Sequence, residues 1–151
     1  MDKNQLSYLI KETLTGIDKY SIDALNLLLG TAAQESRFGH YIRQLGSGPA
    51  LGIFQMEPNT FIDICNNYLF YKDELRKSIL EECRVYLLVP EMLEYNLKVS
   101  ICFARIHYLR FPEPIPNTVE EMAKLWKLRY NSPKGAGTVQ EFIDNYRKYV
   151  L

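Results

Sequence analysis

Carboxyl, amide and aromatic side chains are concentrated within residues 31–60 of the sequence. Glu35 follows the apolar pair Ala32 and Ala33 and precedes Phe38. An apolar environment disfavours the charged form of a carboxyl group, and so does the negative end of a helix dipole. A carboxyl that stays protonated near neutral pH can donate a proton to a glycosidic oxygen. Glu35 is therefore a candidate general acid, and a solvated glutamate at a helix end is the plainer alternative.

The elements that would position Glu35 are helices, because apolar residues recur at helical spacing along most of the chain. Residues 3–15 form one amphipathic pattern. Ser21 can cap a second helix, which is apolar on almost all sides and ends at Gly39. A helix of this kind is expected to be buried at the centre of the core, with Glu35 in its last turn.

Further helical patterns follow a loop and extend to the end of the sequence. Three of them are predicted at residues 59–69, 73–87 and 90–110. Two capping-box patterns start further helices at Thr118 and Thr138. Glycine and proline interrupt residues 40–57, which are predicted as a loop with at most a small β-hairpin around residues 40–56. We therefore predict an all-α fold in which residues 1–151 form one domain.

The balance of charges excludes one large class of partner. The chain has 18 basic and 18 acidic residues, so nucleic acid is not expected as its main partner. The only basic cluster is interpreted as a solvated helix face, and it consists of Arg105, His107 and Arg110. The cysteines lack the spacing of a disulfide framework and predict buried free thiols and a reducing compartment; they are Cys65, Cys83 and Cys102.

Membrane, metal and cofactor signals are all missing from the sequence. No run approaches the roughly 20 apolar residues of a membrane helix, and the start of the chain carries no signal-peptide pattern. We therefore expect synthesis in the cytoplasm and no membrane insertion. His40 and His107 have no partner at metal-ligand spacing, so no metal site is predicted. Phosphate- and dinucleotide-binding patterns are also absent, so no cofactor is expected.

Four short motifs occur in one order across residues 22–140. They are Glu35-Ser36-x-Phe38, Gly52-Ile53-Phe54-Gln55-Met56-x-Pro58, Asn96 opening the helix NLKVSICFARIHYL, and Tyr130-Asn131 followed by Gly135 and Gly137. In these motifs the sequence resembles the lytic transglycosylase family and, more broadly, the goose-type lysozyme branch of the same superfamily. The resemblance implies a lysozyme-like fold and cleavage of the MurNAc–GlcNAc bond of bacterial peptidoglycan.

The resemblance also implies roles for individual residues. Glu35 would act first as general acid and then as general base. The substrate-binding residues would be Gln55, Tyr130, Ser47, Asn131 and Phe54. Among these, Tyr130 would direct its hydroxyl to the reacting centre. Ser47 is one residue away from the position of the family's sugar-contacting serine, and Phe54 would be either a cleft wall or a core residue.

A second carboxyl decides between two outcomes of glycosidic cleavage. The sequence has no Asp or Glu between Glu35 and Gln55, where goose-type and hen-type lysozymes usually place their second acid. The resemblance therefore favours a lytic transglycosylase, in which the 6-hydroxyl of muramic acid closes a 1,6-anhydro ring. Glu57 is the candidate second carboxyl of a hydrolytic lysozyme. A non-catalytic glycan-binding or structural protein on the same scaffold is the third alternative.

The cellular setting is also an implication of the resemblance. Compact chains of this type resemble bacteriophage lysis or virion-associated enzymes, and the catalytic parts of secretion machines. A protein of this kind would be made in the cytoplasm and act on peptidoglycan glycan strands in the periplasm or cell wall. The oligomeric state has no signature in the sequence.

Overall fold

Helices make up the regular secondary structure of this protein, whose computed structural model describes residues 1–151. The eight α-helices are α1 (Lys3–Gly16), α2 (Ile22–Ser36), α3 (Pro58–Asn67), α4 (Asp73–Cys83), α5 (Met92–Tyr95), α6 (Leu97–Leu109), α7 (Val119–Leu125) and α8 (Val139–Tyr149). A 3₁₀ turn at Leu69–Tyr71 follows α3, and a π-helical segment at Trp126–Asn131 continues α7. No strand or sheet forms, so the prediction of an all-α fold is confirmed.

Helix α2 is the buried helix that its apolar sequence predicts. The Ser21 hydroxyl accepts a hydrogen bond from the Ala24 amide and caps its start. Helices α1, α6 and α8 pack around it. Nine of its residues are buried: Ala24, Leu27, Leu28, Leu29, Gly30, Thr31, Ala32, Ala33 and Ser36. Arg37, Phe38 and Gly39 all have positive φ and end the helix, which leaves Glu35 in its last turn.

Two predicted helices are shorter or more divided than the sequence pattern indicates. The helix predicted at residues 90–110 is split at Asn96, whose side chain accepts a hydrogen bond from the Val99 amide and caps α6. The helix predicted at residues 73–87 ends at Cys83, because Arg84 adopts the left-handed conformation. In both cases a local capping conformation ends a helix inside an apolar pattern that continues.

The predicted capping boxes differ in outcome. Thr138 and Glu141 form the full reciprocal box at the start of α8. Thr118 caps α7 through the amide of Glu121, but the Glu121 carboxylate does not return the bond. It pairs instead with Lys124, one turn further along the same helix. The second box is therefore only half formed.

The loop between α2 and α3 contains two isolated antiparallel bridges in place of the small hairpin that the sequence allows. They join Arg43 to Leu51 and Leu51 to Met56. Positive φ angles at Ser47 and Gln55, and at Gly46 and Gly52, interrupt the extended backbone that a strand requires. The loop therefore folds into a succession of turns and forms no strand.

The basic cluster on α6 is not the solvated face that was predicted. His107 is buried, and Arg105 and Arg110 are partly buried. The Arg105 side chain donates to the backbone carbonyl of Lys19, and Arg110 forms an ion pair with Asp63. Because α6 packs against several other helices, both arginines make their contacts within the protein.

Cysteine burial agrees with the prediction at two positions of three. Cys83 and Cys102 are buried, whereas Cys65 is only partly buried. None of the helices combines the length and the hydropathy that crossing a bilayer requires.

Candidate functional site

A cleft of about 630 Å³ opens beside the C-terminal end of α2. Its walls come from α2, the loop before α3, helix α6, and the π-helical segment with the loop that follows it. Five of the residues predicted for the site line this cleft: Glu35, Gln55, Glu57, Tyr130 and Asn131. Tertiary structure thus brings together residues that lie up to 96 positions apart in the sequence (131 minus 35).

The Glu35 carboxyl has a single strong partner in the cleft. Its Oε1 atom accepts a 2.8 Å hydrogen bond from Nε1 of Trp126. Burial raises the pKa of Glu35 to about 7, and the hydrogen bond from Trp126 opposes that rise. The carboxyl is therefore divided between its protonated and charged forms near neutral pH, which suits a group that first gives and then takes a proton.

Trp126 is a site residue that the sequence analysis missed. Its side chain is 1% exposed, and its ring packs against Phe142 of α8, with the ring centroids 5.5 Å apart. A side chain at Gly137 would come within 2.6 Å of the indole, so this glycine is needed for the close approach. The available signal was that Trp126 is the only tryptophan and precedes Tyr130 by one helical turn. A tryptophan that only fills the core would show the same spacing to Tyr130, so this signal does not by itself identify a site residue.

The π-helical segment carries both Trp126 and Tyr130. A π-helical turn is wider than an α-helical one and often occurs at functional sites. Lys127 stabilises the loop that follows, because its ammonium donates to the carbonyls of Gly135 and Gly137 at 2.7 and 2.5 Å. Asn131 accepts hydrogen bonds from Lys127 and from the Ser132 amide. Asn131 therefore holds the turn at the edge of the cleft.

The Tyr130 hydroxyl is engaged within the protein. It donates a 2.8 Å hydrogen bond to the backbone carbonyl of Phe54, so its proton is already engaged. The ring stacks on Tyr108 at 5.3 Å and meets His107 edge-on at 4.9 Å. Burial, with the nearby charge of Glu35, holds the pKa of Tyr130 well above its usual range. The hydroxyl is therefore a neutral donor that ties the π-helical segment to the loop.

Gln55 lies in a tight turn at the floor of the cleft. Its backbone is left-handed, with φ of 47°. The backbone amide and the side-chain amide of Gln55 both donate to the Gly52 carbonyl, at 3.1 and 2.9 Å. Ser36 joins the end of α2 to the same turn by donating to the Ile53 carbonyl at 2.6 Å. Because Ser36 directly follows Glu35, this hydrogen bond links the end of the helix that carries Glu35 to the turn that contains Gln55.

Two predicted substrate contacts are not supplied by the structure. Phe54 is 2% exposed and packs in the core, so only its carbonyl serves the site, through Tyr130. Ser47 is exposed at the tip of the loop, has φ of 69°, and does not line the cleft. Glu57 lines the cleft as an exposed residue just before Pro58, at the start of α3.

His107 lines the cleft although it was predicted as a structural or solvated residue. Burial, together with the charge of Arg110, lowers its pKa to about 4. Its Nδ1 atom lies 2.7 Å from an Arg110 guanidinium nitrogen, and its ring meets the Tyr130 ring edge-on at 4.9 Å. A neutral His107 therefore links α6 to the π-helical segment.

Replacing Trp126 with Phe is expected to raise the pKa of Glu35 above its wild-type value of about 7. The ring packing is largely kept, but the donor that stabilises the carboxylate is lost. An NMR titration of the Glu35 carboxyl carbon measures the change. Tyr41→Phe is the matched control, because the Tyr41 hydroxyl donates to the backbone carbonyl of Glu35 and not to its carboxyl. An unchanged or lowered midpoint in Trp126→Phe would show that the indole does not stabilise the charge.

No protein-family model, curated protein or solved structure matches this chain. No group of three His, Cys, Asp or Glu side chains is arranged to hold a metal ion. The cleft combines one carboxyl poised between two protonation states, an amide side chain and several hydrogen-bond donors. Such a set can transfer a proton to a bound molecule and remove one from it.

Proposed function

We propose that this protein cleaves the MurNAc–GlcNAc bond of peptidoglycan glycan strands as a lytic transglycosylase on a lysozyme-like scaffold. The observation that carries the proposal is Glu35, whose carboxyl lies in the cleft with a pKa of about 7. The order of motifs around Glu35 supports the same reaction. The cleft supports it further, because it brings Gln55, Tyr130 and Asn131 to the wall around that carboxyl.

The reaction requires a carboxyl that changes roles. Protonated Glu35 donates its proton to the glycosidic oxygen as the bond to the anomeric carbon breaks. The resulting carboxylate then removes the proton from the 6-hydroxyl of the muramic acid, whose oxygen bonds to the same anomeric carbon. Trp126 holds Oε1 throughout, which leaves Oε2 free to face the substrate. The products are a 1,6-anhydro end and a free 4-hydroxyl.

Hydrolysis of the same bond is the second candidate. Glu57 is the only other carboxyl residue that lines the cleft, so it is the one available to activate a water molecule. Glu57 is exposed, whereas the Glu35 carboxyl is partly buried and accepts a hydrogen bond from Trp126. We therefore rank the lyase reaction first.

The proposed substrate also implies where the protein works. Peptidoglycan lies outside the cytoplasmic membrane of bacteria, so we propose that the protein acts at the periplasm or cell wall. The bacteriophage lysis or virion-associated role implied by the sequence resemblance is part of the same proposal.

Mass spectrometry of the sugars released from purified sacculi tests the proposal. A lytic transglycosylase is expected to release muropeptides with anhydro-muramic ends, one water lighter than reducing ends. Reducing ends would replace the lyase with a hydrolase and make Glu57 the first residue to substitute. Sacculi that bind the protein without releasing any product would favour a non-catalytic glycan-binding protein.

A further inference from the structure

Two of the three thiols lie against each other in the core. The Sγ atoms of Cys83 and Cys102 are 3.8 Å apart, although the residues are 19 positions apart in the chain. Cys83 is the last residue of α4, and Cys102 lies inside α6. Cys83 is 7% exposed and Cys102 is fully buried.

Packing between α4 and α6 holds this pair in place. An ion pair between Lys98 and Glu82, at 2.6 Å, joins the same two helices next to the thiols. Glu82 directly precedes Cys83, and Lys98 lies one helical turn before Cys102. Both charged side chains are partly buried. This ion pair and the packing of α4 against α6 therefore maintain the register that brings the sulfurs together.

We propose that Cys83 and Cys102 are a redox pair, reduced during folding in a reducing compartment and joined as a disulfide when the protein meets a disulfide oxidant. The sulfurs must close from 3.8 Å to about 2.05 Å. A rotation of the Cys83 side chain can provide much of this movement, because Cys83 ends its helix and Arg84 leaves it in a left-handed turn. The inference is independent of the proposed function.

The exchange follows the exposure of the two thiols. Cys83, which reaches the surface, attacks one sulfur of the oxidant as a thiolate and releases the other as a thiol. Cys102 then attacks the Cys83 sulfur of the mixed disulfide, and its proton passes to the second sulfur of the oxidant, which leaves as a thiol. Two protein thiols become one disulfide, and one oxidant disulfide becomes two thiols. A hydrogen bond from Cys102 lowers the pKa of Cys83, which favours it as the first nucleophile.

Cys65 provides an internal contrast. It lies on α3, and burial raises the pKa of its thiol to about 11. It has no sulfur within hydrogen-bond reach, so it is expected to stay reduced. The cross-link would enclose α5, whose Leu93 carbonyl borders Gly52 of the cleft loop.

The experiment treats the pure full-length chain with oxidised glutathione and compares it with the chain kept in dithiothreitol. Denaturing alkylation followed by peptide mass spectrometry is expected to find one alkylated thiol, at Cys65, and a linked peptide lighter by two hydrogens. The melting temperature is expected to rise by roughly 6–12 °C on oxidation and to return on reduction.

Substitutions separate the pair from the third cysteine. Cys65→Ser is expected to gain the same thermal shift as the wild type, whereas Cys83→Ala and Cys102→Ala are expected to gain none. Peptide mapping of the wild type decides the matter even if the fully buried Cys102 does not tolerate substitution. Three alkylated thiols after oxidation, or a link that involves Cys65, would overturn the proposal.

Discussion

Replacement of Glu35 by Gln is expected to slow the cleavage of glycan strands by about 10³-fold or more. General acid–base catalysis by one side chain is worth about 10²–10⁴-fold, and here a single residue performs both proton transfers. Glutamine keeps the shape of the side chain and can still accept from Trp126, so the loss is assigned to the missing proton. The rate of release of soluble muropeptides from sacculi measures the effect.

Glu57→Gln is the matched control, since it removes the only other carboxyl lining the cleft. It is expected to leave the rate within a few fold of the wild type if the substrate's own hydroxyl closes the ring. Equal losses in the two variants would point to the two-carboxyl mechanism of a hydrolase. Full activity in Glu35→Gln would remove Glu35 from the reaction.

Glu35→Gln is also expected to change the stability of the protein in a pH-dependent way, which shows that the variant is folded. The pKa of Glu35 is about 7 in the folded protein against an ordinary value of 4.5, so the folded state binds this proton more tightly than the unfolded chain. The free energy of unfolding therefore falls as the pH rises from about 4.5 to about 7. Glu35→Gln is expected to exceed the wild type at pH 8 by up to about 3 kcal/mol, and to match it below pH 4.5.

Replacing Gly52 with Ala is expected to lower the free energy of unfolding by about 3–5 kcal/mol. Gly52 has φ of 79°, and a Cβ atom there would overlap the carbonyl oxygen of Leu93. That oxygen cannot move easily, because it accepts a 2.7 Å hydrogen bond from Ser100. The Gly52 carbonyl also receives both donors of Gln55, so the turn that forms the floor of the cleft is expected to be disrupted. Denaturant unfolding followed by circular dichroism measures the change.

Gly46→Ala isolates the steric part of this effect. Gly46 has the same φ of 79°, but a Cβ atom at this position meets no atom within 4 Å. Its substitution is expected to cost only the left-handed backbone penalty, about 1–2 kcal/mol. If both variants lose the same stability, close packing against Leu93 is not what requires a glycine in the cleft loop.

Local features of the sequence were sufficient to predict the helices that carry the site. The second helix was predicted from its cap at Ser21 and its apolar run, both of which act within a few residues. Glu35 was placed in its last turn by the same reasoning. Apolar periodicity alone predicted one helix over residues 90–110, because the apolar pattern continues across Asn96. The family motif, in contrast, placed Asn96 at the opening of a helix, which is where α6 begins.

Contacts between distant segments could not be predicted in the same way. The indole of Trp126 reaches Glu35 across 91 positions, and nothing in the local pattern distinguishes it from a core residue. His107 was interpreted, with Arg105 and Arg110, as part of a solvated helix face, yet it is buried and its ring packs against Tyr130 of the π-helical segment. Phe54 was a candidate for substrate contact. Its ring is buried in the core, and only its backbone carbonyl takes part in the site, where it accepts a hydrogen bond from Tyr130.

Caps and apolar periodicity act over one or two helical turns, so they are enough to predict the helical class, the burial of α2 and the candidacy of Glu35. The protonation state and the surroundings of that carboxyl depend on the folded arrangement. Its pKa depends on how much water the surrounding elements exclude and on one indole donor from a distant helix. Solvent exclusion and hydrogen bonds of this kind belong to the packed arrangement as a whole, so no local segment of the chain encodes them.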